Sequence, residues 1–349
     1  MFDIYLPIAG VEFNLLILLC IGLTVGVLGG FFGVGGAWVV TPALNIFGFP
    51  MAYAIGTDLA HIFGKSIVAT KKHGKMGNVD VKMGLISIVG SVIGVEIGAQ
   101  IVMWLTAKGL AGPVVRYSYM ALLFGLGLFM LWDYFTKDKR AAAKAAKDAA
   151  AGIVPGQKPK KSGWNLPPMI HFPVSGVTIS LWTVVLVFLL TGLLSGFLGV
   201  GGGFIRMPAL IYLIGCPTAV AVGTDLFSVV FSGAYGCFTY AVKGRVEIIA
   251  ALLMLIGASI GAQIGVTAVK YIHGYGIRLL FAIMVILAGS SVALKQFHAT
   301  TAAAYLVMIS AVSMCVIIVI QMSRGFSREK AAKAVEAAKN AAAAKSPAG

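Results

Sequence analysis

The chain has 349 residues, 59% hydrophobic and only 11% charged, with a mean hydropathy of +0.95. A soluble domain is about a quarter charged, so a soluble fold is excluded and an all-α polytopic membrane protein is expected. The net charge of +15 does not indicate nucleic acid, because most of it sits outside the apolar runs: residues 137–161 carry eight Lys/Arg against two Asp, residues 324–345 six against two Glu, and residues 71–82 four Lys against one Asp. Positive-inside bias places all three stretches in the cytoplasm.

Taken in order, the first apolar run is about Phe13 to Phe32, long enough to span a bilayer. No cleavable leader is expected: Asp3 and Glu12 precede this run, and no Lys or Arg does. A glycine cluster, Gly33-Val34-Gly35-Gly36, follows it. Ala37 to Phe47 is then too short to cross alone and reads as a half-helix or re-entrant segment, with Pro42 marking a kink or an early helix position. After the turn Gly48-Phe49-Pro50 comes a helix of about Ala52 to Thr70, holding Thr57, Asp58, His61 and Lys65. The basic loop 71–82 leads to two long runs, Met83 to Leu105 and Val114 to Phe135. The segment 136–179 differs in kind. Its Ala/Lys-rich start favours a solvated helix and its Pro/Lys/Gly-rich remainder a linker. Runs near 181–198, 204–214, 219–241, 248–270, 277–294 and 302–322 complete the membrane portion. The four cysteines (Cys20, Cys216, Cys237, Cys315) are scattered and read as packing residues.

The chain repeats itself. Residues 30–44, GFFGVGGAWVVTPAL, and 196–210, GFLGVGGGFIRMPAL, agree at nine of fifteen positions. AIGTDL (54–59) recurs as AVGTDL (221–226), GNVD (77–80) as GRVE (244–247), and IVGSVIGVEIGAQ (88–100) as LIGASIGAQIGVT (255–267). The repeat predicts these divisions: 1–135, first membrane repeat; 136–179, basic cytoplasmic linker; 180–296, second membrane repeat; 297–323, an extra transmembrane helix; 324–349, an Ala/Lys-rich cytoplasmic tail. A glycine break in a membrane helix frees backbone groups that lipid cannot satisfy. It survives only against protein, a cavity or a ligand. Two breaks at matching positions of two halves point to the binding site of a secondary transporter. If the linker and the tail are both cytoplasmic, an even number of crossings separates them. This holds when the short segment 204–214 also carries the chain across. Each half then crosses five times and the halves are inverted; re-entrant short segments would give four crossings per half.

The doubled G-x-G-G-[GA]-x(4)-P-x-L element, the [AV]-[IV]-G-T-D that follows it and the G-[NR]-V-[DE] loop resemble the sulfite exporter TauE/SafE family, also called the toluenesulfonate uptake permeases. The resemblance covers about residues 13–135 and 180–296. It implies a multi-pass inner-membrane protein that moves small sulfur-containing anions such as sulfite and organosulfonates. The long Ala/Lys linker and the extra C-terminal run depart from the family pattern.

Candidate substrate ligands are Gly33, Gly35, Gly36, Gly199, Gly201, Gly202 and Gly203, whose N–H groups would face an oxyanion at the start of the following half-helix. The alternative is close helix packing through small residues. Arg206 follows the second glycine cluster where the first half has Val40. It is either an oxyanion ligand or an interfacial side chain. Lys65 and His61 share one helix face, with Ser232 and Ser228 as their second-half equivalents. Lys65 is a candidate to attract the anion and His61 to carry a coupling proton; otherwise Lys65 is a near-interface residue and His61 an interior one. Asp58 and Asp225, each after a threonine, are candidates for a coupling cation or proton, for pairing with Lys65 or Arg206, or for helix N-caps. Glu96 and Gln100 either line the path or bond between helices. No hydrolase, redox or metal-ligand constellation is present in the sequence, so no enzyme activity, cofactor or metal is expected. The expected partners are a small sulfur-containing anion and the lipid bilayer, not nucleic acid, with a homo-oligomer left open. A channel, or a membrane component serving a sulfur enzyme, is the alternative function.

Overall fold

The computed structural model describes residues 3–32, 37–150, 166–269 and 276–345. Among them are eleven α-helices and two short hairpins. Hairpin β1–β2 (Asp3–Leu6, Val11–Asn14) leads into α1 (Leu15–Phe32), α2 (Ala37–Ile46), α3 (Met51–Lys75), α4 (Val81–Ala107) and α5 (Ala111–Ala150). Hairpin β3–β4 (Met169–Phe172, Val177–Ser180) leads into α6 (Leu181–Leu198), α7 (Gly203–Pro208), α8 (Thr218–Val242), α9 (Ile248–Val269) and α10 (Gly276–Gln296). A π-helical stretch, Ala209–Ile214, extends α7. Pro208 has no N–H to continue the α-helical ladder, and the wider turn follows directly. The extra helix α11 (Thr300–Lys345) packs on α1, α2, α9 and α10. Among the described residues six helices are long and apolar enough to cross a membrane, and the chain is an all-α polytopic membrane protein.

The repeat therefore begins earlier than its glycine motif. Hairpin β3–β4 lies within the stretch read above as linker, yet Pro173-Val174-Ser175-Gly176-Val177 echoes Pro7-Ile8-Ala9-Gly10-Val11 of the first hairpin. The two halves are interlaced. Helix α1 packs on α9, and its counterpart α6 packs on α4, the counterpart of α9. Glycines make both contacts. A Cβ on Gly22 or Gly26 would lie 2.1 or 2.4 Å from the carbonyl oxygen of Met254 or Ala258, and one on Gly94 or Gly98 would lie 2.2 or 2.3 Å from that of Leu189 or Leu193. Backbones this close gain dispersion contacts that lipid-exposed leucines cannot supply. The outward faces are the reverse: Leu85, Val89, Ile93, Ile97 and Ile101 form an exposed stripe along α4 behind its glycines. The pattern is that of a helix with small residues inside and branched apolar residues toward lipid.

Helices α3 and α8, equivalent in the repeat, pack directly on each other and run antiparallel. Gly56 faces Tyr240, Gly236 faces Leu59, and Gly233 faces Phe63. Helices α5 and α10 do the same, with Gly127 against Ile286 and Gly289 against Leu123. The α3–α8 register brings the middle of each helix, Lys65 and Ser232, to a similar level.

Candidate functional site

Each G-T-D motif is read out by three different contacts. The glycine admits the loop of the other half: a Cβ on Gly56 would sit 2.3 Å from the Arg245 carbonyl oxygen, and one on Gly223 would sit 2.1 Å from that of Asn78. The threonine binds the same loop. Thr57 Oγ1 accepts the Glu247 N–H at 3.0 Å and Thr224 Oγ1 the Asp80 N–H at 2.9 Å. These acids in turn hold the hairpin tips. Glu247 Oε2 accepts the N–H groups of Ile8 and Ala9 at 2.8 and 3.0 Å. Asp80 Oδ2 accepts the N–H and hydroxyl of Ser175 at 3.0 and 2.7 Å, while its Oδ1 caps α4 at Met83 N–H, 3.1 Å. Each clasp joins the two halves, and the duplicated V-[DE] was its sequence signal.

The aspartate of each motif turns inward to the short helix after the glycine break. Asp58 Oδ2 accepts the N–H and hydroxyl of Thr41 in α2, at 3.1 and 2.8 Å. Asp225 Oδ1 accepts from Arg206 Nη1 in α7 at 3.2 Å. Neither aspartate is a helix N-cap, because α3 begins at Met51 and α8 at Thr218. Arg206 is not interfacial either: it is fully buried. Its Nε donates to Thr191 Oγ1 at 3.1 Å and its guanidinium lies 5.0 Å from the centre of the Phe188 ring. Gly202 leaves room for it, since a Cβ there would lie 2.9 Å from Nη2.

On α3, Asp58, His61 and Lys65 occupy successive turns of one buried face. His61 Nδ1 lies 3.4 Å from Asp58 Oδ1. Two nitrogens in these clusters have no hydrogen-bond partner among the described residues, His61 Nε2 and Arg206 Nη2; the buried hydroxyls of Ser66, Ser195 and Ser232 have none either. Unpartnered buried atoms also occur elsewhere, at Ser91 and Ser180, so these nitrogens are candidate rather than established ligand contacts.

The second glycine break lies between the two clusters. Gly199, Gly201 and Gly202 adopt left-handed φ of 79°, 65° and 76°, a region that favours glycine, and Gly203 opens α7. Gly199 abuts Thr41 and Ile55, and Gly201 abuts Ile62, so this break is pressed against α2 and α3 of the first half. Carbonyls near the end of α6 are taken by tyrosines. Tyr119 OH donates to Leu198 O at 2.5 Å and Tyr240 OH to Gly196 O at 2.8 Å. Gly33, Gly35 and Gly36 lie outside the described residues. Glu96 and Gln100 bond to each other, and Glu96 reaches Thr239 on α8 at 3.2 Å, away from these clusters. Sequence reasoning did not single out Thr41, Thr191, Phe188, Tyr119 or Tyr240 as site residues, because single polar and aromatic residues in apolar runs carry no spacing signal.

The Sulfite exporter TauE/SafE family profile matches residues 18–292. The chain belongs to this family. Relatives include a probable membrane transporter protein, YunE, of Bacillus subtilis, 27% identical over 79% of this chain and 96% of the relative. A probable membrane transporter protein of Methanocaldococcus jannaschii is 26% identical over 78% and 93%. A third, YdhB of Bacillus subtilis, is 23% identical over 72% and 88%. No solved structure matches the chain significantly. The TauE/SafE profile spans α1 to α10 and stops short of α11. The family and these relatives make the chain a multi-pass membrane transporter.

Proposed function

We propose that this TauE/SafE member is a secondary transporter of small sulfur-containing anions, sulfite or an organosulfonate, in the cell inner membrane. The observation that carries the reading is the pair of unpartnered nitrogens, Arg206 Nη2 and His61 Nε2, on fully buried side chains beside the glycine break. An oxyanion needs donors in place of its water shell: a guanidinium edge and backbone N–H groups at a helix start are such donors, and His61 Nε2 becomes one when the imidazole, whose Nδ1 faces Asp58, takes a second proton. Lys65 supplies positive charge on the same α3 face. Asp225 balances Arg206, so the empty site need not hold an uncompensated cation. His61, flanked by Asp58, is the proposed proton carrier, and Asp58 and Asp225 are the other candidates. The halves are proposed to be inverted. The antiparallel run of the equivalent helices α3 and α8 supports this, as does the basic character of both the linker and the tail.

The test is uptake of labelled sulfite, sulfate and taurine-like sulfonates into proteoliposomes, with and without an imposed pH gradient. Saturable uptake of one of them, increased by the gradient, is the expected result. Folded protein that moves none of the three would refute the substrate assignment. Uptake indifferent to the gradient would refute proton coupling.

A further inference from the structure

Lys65, only 3% exposed, borders a small space among the described residues. A crevice of about 10 Å³, room for about one water, lies beside it and is bounded by Gly29, Gly30, Ala69, His73 and Val266. Ala69, Ala262 and Val266 also wall a recess of about 190 Å³, whose rim carries Lys71, Lys72, Lys75 and Gln263. The two spaces share these three residues and so adjoin. They lie in succession along α3, between the lysines of its last turns and the buried Lys65.

The repeat supplies a second copy of this place for comparison. Lys65, Ala69 and His73 correspond to Ser232, Gly236 and Tyr240, and Lys71, Lys72 and Lys75 to Phe238, Thr239 and Val242. Gln263 corresponds to Glu96 and Gly30 to Gly196. In the second copy the space is filled. Tyr240 is fully buried and donates to the Gly196 carbonyl at 2.8 Å. A Cβ on Gly236 would lie 3.0 Å from Leu59 and 3.2 Å from Val95. The rim is occupied too, with Glu96 bonded to Thr239 and Gln100, and Lys243 reaching Gln100 at 2.9 Å. Because α3 and α8 run antiparallel, the two copies open at opposite ends of the helix pair.

We infer that the crevice between α3 and α9 is a water-filled anion path leading to Lys65, open in this conformation at its lysine rim, and that the equivalent path between α8 and α4 is closed by Tyr240. Three lysines over low-dielectric walls concentrate anions at the mouth. The inner crevice holds about one water, so an oxyanion passes only when α3 and α9 part slightly. Exchange of the two states, with His73 swinging in and Tyr240 out, would present the central site to either face. This inference rests on the transporter reading above.

The first test is thiol labelling in membrane vesicles of both orientations, using the full chain with its four native cysteines replaced. Single cysteines are placed at Ala69 or at Ser232. Two membrane-impermeant methanethiosulfonates are compared, one bearing a sulfonate and one a trimethylammonium group. Ala69→Cys reacts from the lysine-rimmed face, about tenfold faster with the anionic reagent, as expected of charge focusing in a cleft. Ser232→Cys resists from both faces, and adding Tyr240→His admits the reagent from the face opposite the lysines. An unreactive Ala69→Cys, or equal rates with the two reagents, overturns the basic path. Free reaction of Ser232→Cys with Tyr240 intact overturns the closure. A second test needs no cysteine replacement. Lys71→Glu, Lys72→Glu and Lys75→Glu together alter only exposed and half-exposed side chains. They raise the KM for labelled sulfite about tenfold at low salt, with kcat unchanged and the effect lost at high salt. An unchanged KM overturns the path. Labelling as expected in a protein that moves no sulfur oxyanion supports the path and refutes the substrate assignment instead.

Discussion

Arg206→Val isolates the buried ion pair. The perturbation leaves Asp225, only 1% exposed, without its partner at 3.2 Å, and removes the guanidinium from Thr191 and Phe188. Breaking a buried pair by deleting one member costs about 3–5 kcal/mol, because the remaining charge is uncompensated. The first half shows how the same carboxylate is held without an arginine. At the matching positions it has Val40 followed by Thr41, and the N–H and hydroxyl of Thr41 both donate to Asp58. Adding Met207→Thr to Arg206→Val rebuilds that arrangement beneath Asp225. Hydrogen bonds to a charged acceptor contribute about 1.5–3 kcal/mol each, against the loss of one buried methionine, so the double variant recovers about 2 kcal/mol. Unfolding of detergent-solubilised protein measures the recovery, and uptake measures function in parallel. The expected outcome is a double variant more stable than Arg206→Val and devoid of anion uptake. If Arg206→Val lies within about 1 kcal/mol of the parent, the buried-pair argument is refuted. If the double variant transports at the parent rate, Arg206 is not a substrate ligand.

Three further outcomes follow from the same geometry. Glu247→Ala orphans the N–H groups of Ile8 and Ala9, and Asp80→Ala those of Ser175 and Met83 and the Ser175 hydroxyl; each loses about 2–4 kcal/mol, read as a lowered melting temperature, and the Asp80 loss is the larger because it also removes the cap of α4. Gly26→Val and Gly98→Val drive a Cβ to within 2.4 and 2.3 Å of a facing carbonyl oxygen; both fail to accumulate in the membrane, whereas Leu85→Val on the lipid-facing stripe accumulates normally. His61→Gln, whose amide still places an N–H near the Nε2 position, keeps sulfite exchange but loses the response of uptake to a pH gradient; a full response in this variant removes His61 from proton coupling.

Much of the fold was legible because the chain is written twice. Bilayer-length apolar runs gave the helices, and the duplicated glycine, G-T-D and V-[DE] elements gave the halves. The hairpins were not read, since four-residue strands flanking Pro7 and Pro173 carry too little alternation to stand out from a loop. The meaning of V-[DE] was hidden for another reason. Glu247 and Asp80 act on residues more than ninety positions away, and no local pattern shows that. Charge in an apolar run singled out Arg206, Lys65, His61, Asp58 and Asp225 as candidates, and all five are buried. Their sorting into an α2–α3 cluster and an α7–α8 cluster depends on how the short helices lean against the G-T-D aspartates. Tyr119 and Tyr240 were invisible because a tyrosine in a membrane helix signals an interface or a core equally well.

The proposed carrier has one oxyanion site served by two alternately open paths. Counterflow tests it most directly. Proteoliposomes loaded with unlabelled sulfite are diluted into a trace of labelled sulfite, with no pH or electrical gradient. A carrier accumulates label transiently above its external concentration, and the Arg206→Val, Met207→Thr variant does not. Label that only equilibrates, without overshoot and in proportion to its concentration, would make the protein a pore and not a carrier.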